Sequence, residues 1–199
     1  INSIKRNHMD RDLEKSWSLI NYNVQFRPIA IFPYDGQIER AKMLPGYLQG
    51  NDAVVITEAL DDDAREILVK GLRPEYPYST KIVGSDRIFE QDGGVKIISK
   101  YPILEEDEYL YGSLCHKAFE DCLADKGVGY AHILKGNQHY HLFATHLQAG
   151  YTKKDIQVRG LQLLKLREFM KSKNIPKEHV VIFTGDFNVP LIDRDFTTS

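Results

Sequence analysis

The chain has 199 residues, of which 42% are hydrophobic and 11% aromatic, a composition typical of a globular domain with a sizeable core. Its 26 Lys and Arg residues against 28 Asp and Glu residues give a net charge of −2, which argues against a surface built mainly to neutralise nucleic-acid phosphates. No run approaches the roughly 20 apolar residues of a membrane-spanning helix, and the N-terminus lacks a signal-peptide core. We expect a soluble chain that forms a single domain over residues 1–199.

The first half of the chain predicts alternating strands and helices after a lead-in. Residues 1–15 are charged and aperiodic, which indicates a frayed lead-in or a short helix. The segments that follow are a strand at 17–26, a helix at 38–50, a buried strand at 52–60 and a helix at 61–72. Acidic residues in the first turn of the last helix favour its dipole.

The second half is richer in strands. Strand candidates are found at 76–84, 94–103, 126–134 and 139–147, followed by a helix at 155–174 and a strand at 180–185. In the helix, apolar residues at near-helical spacing predict a face that covers a sheet: Val158, Leu161, Leu164 and Leu166. The fold class predicted is α/β, a two-layer sandwich of mixed β-sheets flanked by helices, rather than a purely parallel doubly wound sheet.

Two cysteines, Cys115 and Cys122, lie between these strand candidates. They could close a small disulfide loop or stay reduced, and two cysteines are too few for a zinc site without histidine ligands. Nearby, we expect His139 and His141 to be structural or exposed.

The stretch "VVIFTGDFNVP" (180–190) predicts a strand buried on both faces that ends at Gly185. Asp186 and Asn188 then sit where the strand leaves its sheet. Because they are two residues apart in an extended segment, they project to one side and can converge on one polar ligand. A turn is the other interpretation of an isolated Gly-Asp-x-Asn stretch.

Three more polar residues end apolar strands in the same way: Asn23, Glu58 and His146. Taken singly, they can be turn residues, a solvated carboxylate or a packed histidine. Ligands of α/β sheets gather at such strand ends, and a coincidence at four separate ends is improbable. Carboxylate and amide oxygens without thiolates suit a hard cation such as Mg²⁺.

Six segments carry a resemblance to a known family: "NYNVQFRP", "VVITEALDD", "DGGVKIISKYPI", "CLADKGVGYAHI", "FATHLQAG" and "IFTGDFNVP". In this order they resemble the DNase I-like endonuclease/exonuclease/phosphatase superfamily, from about residue 17 onward. The "THLQA" and "GDFNVP" motifs are specific to the superfamily. "DGGVKIISKYPI" with "LADKGVGY" is most similar to the secreted neutral sphingomyelinases C of bacteria.

The resemblance implies a role for each strand-end residue. Glu58 is the principal ligand of a catalytic divalent cation, with Asn23 close by as a ligand and catalytic residue. Asp186 and Asn188 surround the attacking water and the phosphate, and His146 donates a proton to the leaving group. A metal that stabilises phosphoryl charge and an acid of near-neutral pKa are what phosphodiester hydrolysis requires.

The resemblance also implies a second metal position at the edge of the cleft, partly built from two acidic residues just before the Gly-Gly strand. This chain has Gln91 and Asp92 there, with Glu90 one place early, so only Asp92 carries over as a metal ligand. The other interpretation of Asp92 is a turn residue before Gly93. Lys126 could meet a phosphate oxygen or be solvated.

One part of the family pattern is absent. Sphingomyelinases complete their second layer and their site with a Ser-Asp-His stretch near the C-terminus. This chain stops at "DRDFTTS", about ten residues past "GDFNVP". We therefore expect the DNase I-like fold to be C-terminally incomplete over these residues.

The function implied is a phosphodiesterase, dependent on Mg²⁺ or alternatively Mn²⁺ or Co²⁺, that hydrolyses sphingomyelin to ceramide and phosphocholine. Its partner would be sphingomyelin or a related phospholipid at a membrane surface, with no nucleic acid, and the protein would be secreted and monomeric. The alternatives are another superfamily branch, a nuclease or an inositol-phosphate phosphatase, or a catalytically silent module that binds lipid or protein.

Overall fold

A computed structural model describes residues 16–85, 91–116 and 122–189. The lead-in predicted at 1–15, Glu90 and the end of the chain lie outside the described residues. The strands are β1 Leu19–Phe26, β2 Ala53–Ala59, β3 Tyr78–Ser79, β4 Gln91–Asp92, β5 Lys96–Ser99, β6 Ile103–Leu110, β7 Ala124–Asp125, β8 Gly127–Lys135, β9 Gln138–His146 and β10 Val180–Asp186. The helices are α1 Gln37–Met43, continued by a 3₁₀ turn at Leu44–Gly46, α2 Asp62–Leu72 and α3 Lys153–Ser172.

The strands form two mixed four-stranded sheets. Sheet one has the order β1-β2-β5-β3, and sheet two has the order β10-β9-β8-β6. The pairs β1/β2 and β9/β10 are parallel, whereas the other pairs in these sheets are antiparallel. β4 and β7 form a separate short parallel pair. This arrangement confirms the predicted mixed-sheet architecture.

The core between the sheets comes from the side chains that each strand turns inward. Its buried members from β2, β5, β8 and β9 are Ala53, Val55, Ile97, Ala131, Ile133, Tyr140, Leu142 and Ala144. On the outer side of sheet one, α1 and α2 pack against Val54, Ile56 and Ile98. On the outer side of sheet two, Leu166 and Phe169 of α3 pack against Tyr130 and Phe143. The two sheets are therefore each covered by helix, as the α/β prediction required.

The two long helices begin at side-chain caps. Asp61 Oδ1 accepts from the Ala64 amide at 3.0 Å before α2. Thr152 and Asp155 cap α3 reciprocally in a capping box. Within the described residues, no helix combines the length and apolar character that crossing a membrane requires.

The buried face of α3 differs from the prediction. Val158 and Leu166 are buried as expected, but Leu161 and Leu164 are 48% and 52% exposed. Polar residues complete the buried stripe instead: Asp155, Arg159 and Gln162. The helix turns these three inward because they bond the loops next to the sheet, as in the bond from Gln162 Nε2 to Leu114 O at 2.9 Å.

The prediction that β10 is buried on both faces was wrong. Val181 and Phe183 are 38% and 41% exposed. β10 is the edge strand of sheet two, paired with β9 on one side, and no other described strand pairs with it. An apolar sequence therefore does not mean burial here, because exposure depends on the neighbours of the strand.

Two strand predictions were too long. The segment 76–84 is a regular strand only at Tyr78–Ser79, although the Thr80 amide still donates to Ile97 O at 2.9 Å. The segment 94–103 is divided into β5 and the start of β6, because the chain leaves sheet one after Ser99 and enters sheet two at Ile103. Cys115 and Cys122 are joined by a disulfide with an S–S distance of 2.03 Å, so the reduced alternative is excluded.

Candidate active site

Four predicted site residues meet at one edge of the sandwich. Asn23 and Glu58 come from the parallel strands β1 and β2, and His146 and Asp186 end the parallel strands β9 and β10. His146 and Asp186 are register partners. The two pairs come together because the sheets touch there: Asn21 Nδ2 on β1 donates to Gly185 O on β10 at 3.1 Å.

Asn23 links the two carboxylates. Its Nδ2 donates to Glu58 Oε1 at 2.7 Å and lies 3.2 Å from Asp186 Oδ2. Its Oδ1 accepts from the Gln25 amide at 3.0 Å, which determines the orientation of the side-chain amide. In this orientation Asn23 holds the carboxylates as a donor, and its oxygen faces away from them.

His146 lies next to the same carboxylates. Its Nε2 is 3.9 Å from Glu58 Oε1 and 4.0 Å from Asp186 Oδ2. The His146 side chain is 8% exposed, whereas those of Glu58 and Asp186 are 25% and 30% exposed. The imidazole is therefore packed into the protein, and the carboxylate oxygens remain accessible to a ligand.

An unusual backbone conformation turns Glu58 toward the site. Residues two apart on a strand share a face, so simple alternation would place Glu58 on the helix side with Val54 and Ile56. Glu58 instead has a left-handed backbone with φ 55°, and the next residue, Ala59, joins the helix-side core. Such a conformation costs about 1–3 kcal/mol in a residue other than glycine and is typical of functional sites.

Gly94 lies against this strained position. Its carbonyl accepts from the Ala59 amide at 3.0 Å, and a Cβ on Gly94 would lie 3.1 Å from Glu58 Cα. Gly94 itself has φ +66°, which favours glycine. The Gly-Gly motif thus makes room for the backbone that presents Glu58.

Asn188 is placed differently from the prediction. β10 ends at Asp186, and Asn188 has φ 51°, so the two residues do not belong to one extended segment. The Asn188 amide donates to Asp186 Oδ1 at 2.9 Å, and its Nδ2 donates to Leu147 O at 3.0 Å. Asn188 therefore holds Oδ1 of Asp186, whereas Asn23 contacts Oδ2.

Lys126 contacts the same segment as Asn188, directly after His146. It is 7% exposed, so it is not the solvated lysine that the sequence allowed. Its Nζ donates to Leu147 O at 3.2 Å, the carbonyl that also accepts from Asn188. Within the described residues, Lys126 therefore supports the segment that follows His146.

Asp92 does not join the carboxylate group. It is 1% exposed, its Oδ2 pairs with Arg65 Nη1 at 2.9 Å, and its Oδ1 accepts from the Gly94 amide at 2.8 Å. A carboxylate that accepts from the amide two residues later, as Asp92 does from Gly94, is typical of a turn residue. A metal-binding role for Asp92 stays a prediction.

Sequence reasoning missed three residues that shape the site: Asn21, Gln25 and Arg40. Asn21 joins the two sheets, and Gln25, with φ 49°, holds the Asn23 amide. Arg40 donates from α1 to Val24 O at 2.5 Å and to Gln25 O at 2.8 Å. The alternation in "NYN" could have indicated Asn21, but no local pattern connects Arg40 with β1.

The residues present fit a divalent cation. Ligand atoms of Glu58, His146 and Asp186 all lie within 4.8 Å of one another. In the described part of the chain, neither carboxylate forms an ion pair with Lys or Arg. Two carboxylates held together without a fixed positive charge repel each other, and a cation between them removes that cost. Their oxygen donors, open to water, suit Mg²⁺.

Known proteins with similar sequences are named phospholipase C or sphingomyelinase C. The chain is 32% identical to a phospholipase C of Staphylococcus aureus over 198 residues, which cover 90% of this chain and 58% of that protein. It is also 32% identical to a sphingomyelinase C of Bacillus cereus over 204 residues, which cover 92% of this chain and 60% of that protein. The chain thus spans about 60% of the length of these curated relatives. No protein-family model matches the chain.

Solved structures agree with the sequence comparison. A β-hairpin deletion mutant of S. aureus beta toxin superimposes with a TM-score of 0.82 at 32% identity, covering 87% of this chain and 68% of that chain. A mutant of the same toxin that contains bound magnesium ions gives a TM-score of 0.80 at 32% identity, covering 87% of this chain and 65% of that chain.

Proposed function

The chain belongs to the sphingomyelinase C branch of the DNase I-like endonuclease/exonuclease/phosphatase superfamily, and from that premise we propose that the protein is a Mg²⁺-dependent phosphodiesterase that hydrolyses sphingomyelin to ceramide and phosphocholine. The observation that carries the proposal is the carboxylate pair of Glu58 and Asp186, bridged by Asn23 and flanked by His146. The names of the relatives supply the substrate class.

In this proposal Glu58 would be the principal ligand of the cation, and Asp186 would be a second carboxylate within reach of it. Bound Mg²⁺ supplies Lewis-acid stabilisation of the charge on the phosphoryl oxygens. Asn23 acts through its Nδ2, which fixes the separation of the two carboxylates. This assigns Asn23 a positioning role, in place of the direct ligation that the family resemblance implies.

Asp186 orients the attacking water and accepts its proton. One of its oxygens is held by the Asn188 amide, and the other faces the open side of the site next to Asn23. Water attacks the phosphorus, and the bond from phosphorus to the ceramide oxygen breaks. His146 holds a proton at Nε2 and transfers it to the departing alkoxide, a task to which an imidazole is suited.

We propose Mg²⁺ as the physiological cation, with Mn²⁺ or Co²⁺ as substitutes. Secretion, a monomeric state, action on sphingomyelin at a membrane surface and the lack of a nucleic-acid substrate complete the proposal. The near-neutral net charge of −2 supports the last of these.

The test measures phosphocholine release from sphingomyelin vesicles by the protein, with Mg²⁺ and with EDTA. Plasmid DNA and an inositol polyphosphate are assayed in parallel. We expect metal-dependent release that is lost in Glu58→Gln and His146→Ala and retained in Glu168→Gln, a change at an exposed position of α3. Cleavage of DNA or the inositol phosphate alone would reassign the substrate to another branch. No turnover of all three would favour a silent binding module.

A further inference from the structure

Four histidines gather at the end of sheet two that is remote from the candidate active site. His132 lies on β8, His139 and His141 lie on β9, and His179 directly precedes β10. On β9, His146 lies five positions after His141, which is roughly 17 Å along a strand. The cluster is therefore spatially separate from the carboxylate group.

The rings contact one another in pairs. His132 Nε2 lies 2.8 Å from His139 Nδ1, and His141 Nε2 lies 2.9 Å from His179 Nδ1. The His132 and His141 rings stack with centroids 4.2 Å apart, and those of His139 and His179 with centroids 4.3 Å apart. Each close pair of nitrogens can share only one proton, so four neutral rings can form both hydrogen bonds. Additional protons would charge the rings, which would then repel one another.

Three of these histidines have the separation of a metal site. Ligand nitrogens of His132, His141 and His179 all lie within 4.8 Å of one another. Zinc binds imidazole nitrogen at about 2.0–2.1 Å, so the nitrogens around a tetrahedral ion lie roughly 3.4 Å apart. Small ring movements, which exchange the two hydrogen bonds for metal bonds, would bring the three nitrogens to that separation.

A neighbouring side chain already orients the central ring. The hydroxyl of Tyr130, a residue only 1% exposed, lies 2.8 Å from His141 Nδ1. When Nδ1 donates to this oxygen, Nε2 becomes the ligand atom, and such an outer partner is typical of metal-binding histidines. His141 is 4% exposed, whereas His132 and His179 are half-buried, which leaves the cluster open to an ion from solvent.

The surroundings of two of the rings favour the neutral form, which is the form that binds metal. Burial, with the neighbouring His132 and His179 rings, lowers the pKa of His141 to about 4. Burial and the rings of His139 and His179 lower the pKa of His132 as well. Neutral imidazole is a preferred ligand of zinc, nickel and copper, and a poor one for magnesium.

We propose that His132, His141 and His179 form a second metal site, which binds a borderline-soft divalent transition ion such as Zn²⁺ with a water or His139 in the fourth position. The site ties the loop before β10 to β8 and β9. Because β10 pairs only with β9 among the described strands and carries Asp186 at its far end, a bound ion stabilises the strand that positions the active-site carboxylate. This inference is independent of the substrate assigned to the enzyme.

The experiment uses the protein with Glu58→Gln and His146→Gln, which removes the charge of the principal ligand and the neighbouring imidazole at the first site, in buffer with excess Mg²⁺. Zn²⁺ binding is followed by calorimetry, and Co²⁺ binding by its visible spectrum. We expect one ion per protein and a Co²⁺ spectrum typical of nitrogen ligands. At a free Zn²⁺ concentration about 100 times Kd, the Tm should rise by about 5 °C or more.

Adding His179→Gln, at a half-buried position, should weaken Zn²⁺ binding at least tenfold and reduce the Tm shift at the same Zn²⁺ concentration by about half or more. His141→Gln provides a second test, with metal-free thermal unfolding of each variant as the check on folding. Absence of Zn²⁺ and Co²⁺ binding in the starting variant would overturn the proposal. Binding that is unchanged by both His179→Gln and His141→Gln would overturn it equally.

Discussion

Asp186 and His146 are register partners at the ends of two parallel strands, and Asp186 Oδ2 lies 4.0 Å from His146 Nε2. Parallel pairing of β9 and β10 is thus sufficient to bring a carboxylate beside an imidazole. The contact of β1 with β10 then adds Asn23 and Glu58 from the other sheet. The site depends on how the sheets pack as much as on the residues it contains.

Glu58→Gln should lower kcat/KM for sphingomyelin at least 100-fold at fixed Mg²⁺, because it removes the charge of the principal ligand while preserving the side-chain volume. Assays over a range of Mg²⁺ concentrations should show a higher requirement for the metal. Glu168→Gln is the matched control on an exposed part of α3. Equal Mg²⁺ requirements for the wild type and Glu58→Gln would contradict the assignment of Glu58 as the principal ligand.

Asn23→Ala separates positioning from ligation. Because Asn23 directs its Nδ2 toward both carboxylates, the variant should lose about 10- to 100-fold in kcat with little change in Mg²⁺ affinity. Calorimetry measures Mg²⁺ affinity independently of turnover. A large loss of affinity would instead support the direct ligand role implied by the family.

Gly185 and Gly160 make a contrasting pair for measurements of stability. At Gly185, φ is +124° and a Cβ would lie 1.8 Å from Thr145 O, so Gly185→Ala should lower the free energy of unfolding by about 2 kcal/mol or more. At Gly160, inside α3, a Cβ would meet no atom within 4 Å, and Gly160→Ala should raise that free energy by about 0.5–1 kcal/mol. Urea unfolding measures both. Similar effects of the two substitutions would refute the close approach of β10 to β9.

The buried Asp155 makes stability depend on acid pH. Its hydrogen bonds with His116, at 2.6 Å, and with Thr152 hold the pKa of Asp155 below its ordinary value. In the unfolded chain the carboxyl takes up a proton near pH 3.9, whereas in the folded protein it stays ionised to lower pH. The Asp155 contribution should therefore be present at neutral pH and decline as the pH falls below about 4.

Asp155→Asn tests this linkage. The difference in unfolding free energy between wild type and variant should be largest near neutral pH and shrink on acidification from pH 5 to pH 3. Urea titrations at several pH values supply the comparison. A difference that is constant across this range would show that the ionised form of Asp155 is not what stabilises the fold.

Local patterns in the sequence determined the elements and the residue types of the site. Strand and helix periodicity predicted the mixed α/β sandwich, because it depends only on which side of each element is buried. Polar residues after apolar strands predicted Asn23, Glu58, His146 and Asp186, because strand ends of such sheets open into clefts. The ordered motifs then identified the family.

Tertiary structure alone decided features that depend on contacts between distant elements. The exposure of Phe183 follows from the edge position of β10 among the described strands, and the inward face of α3 follows from bonds to loops rather than from its leucines. The left-handed backbone of Glu58 reverses the alternation that its strand predicts. His132, His141 and His179 come together through register and a loop, so a pattern within any one segment contains no signal for their convergence.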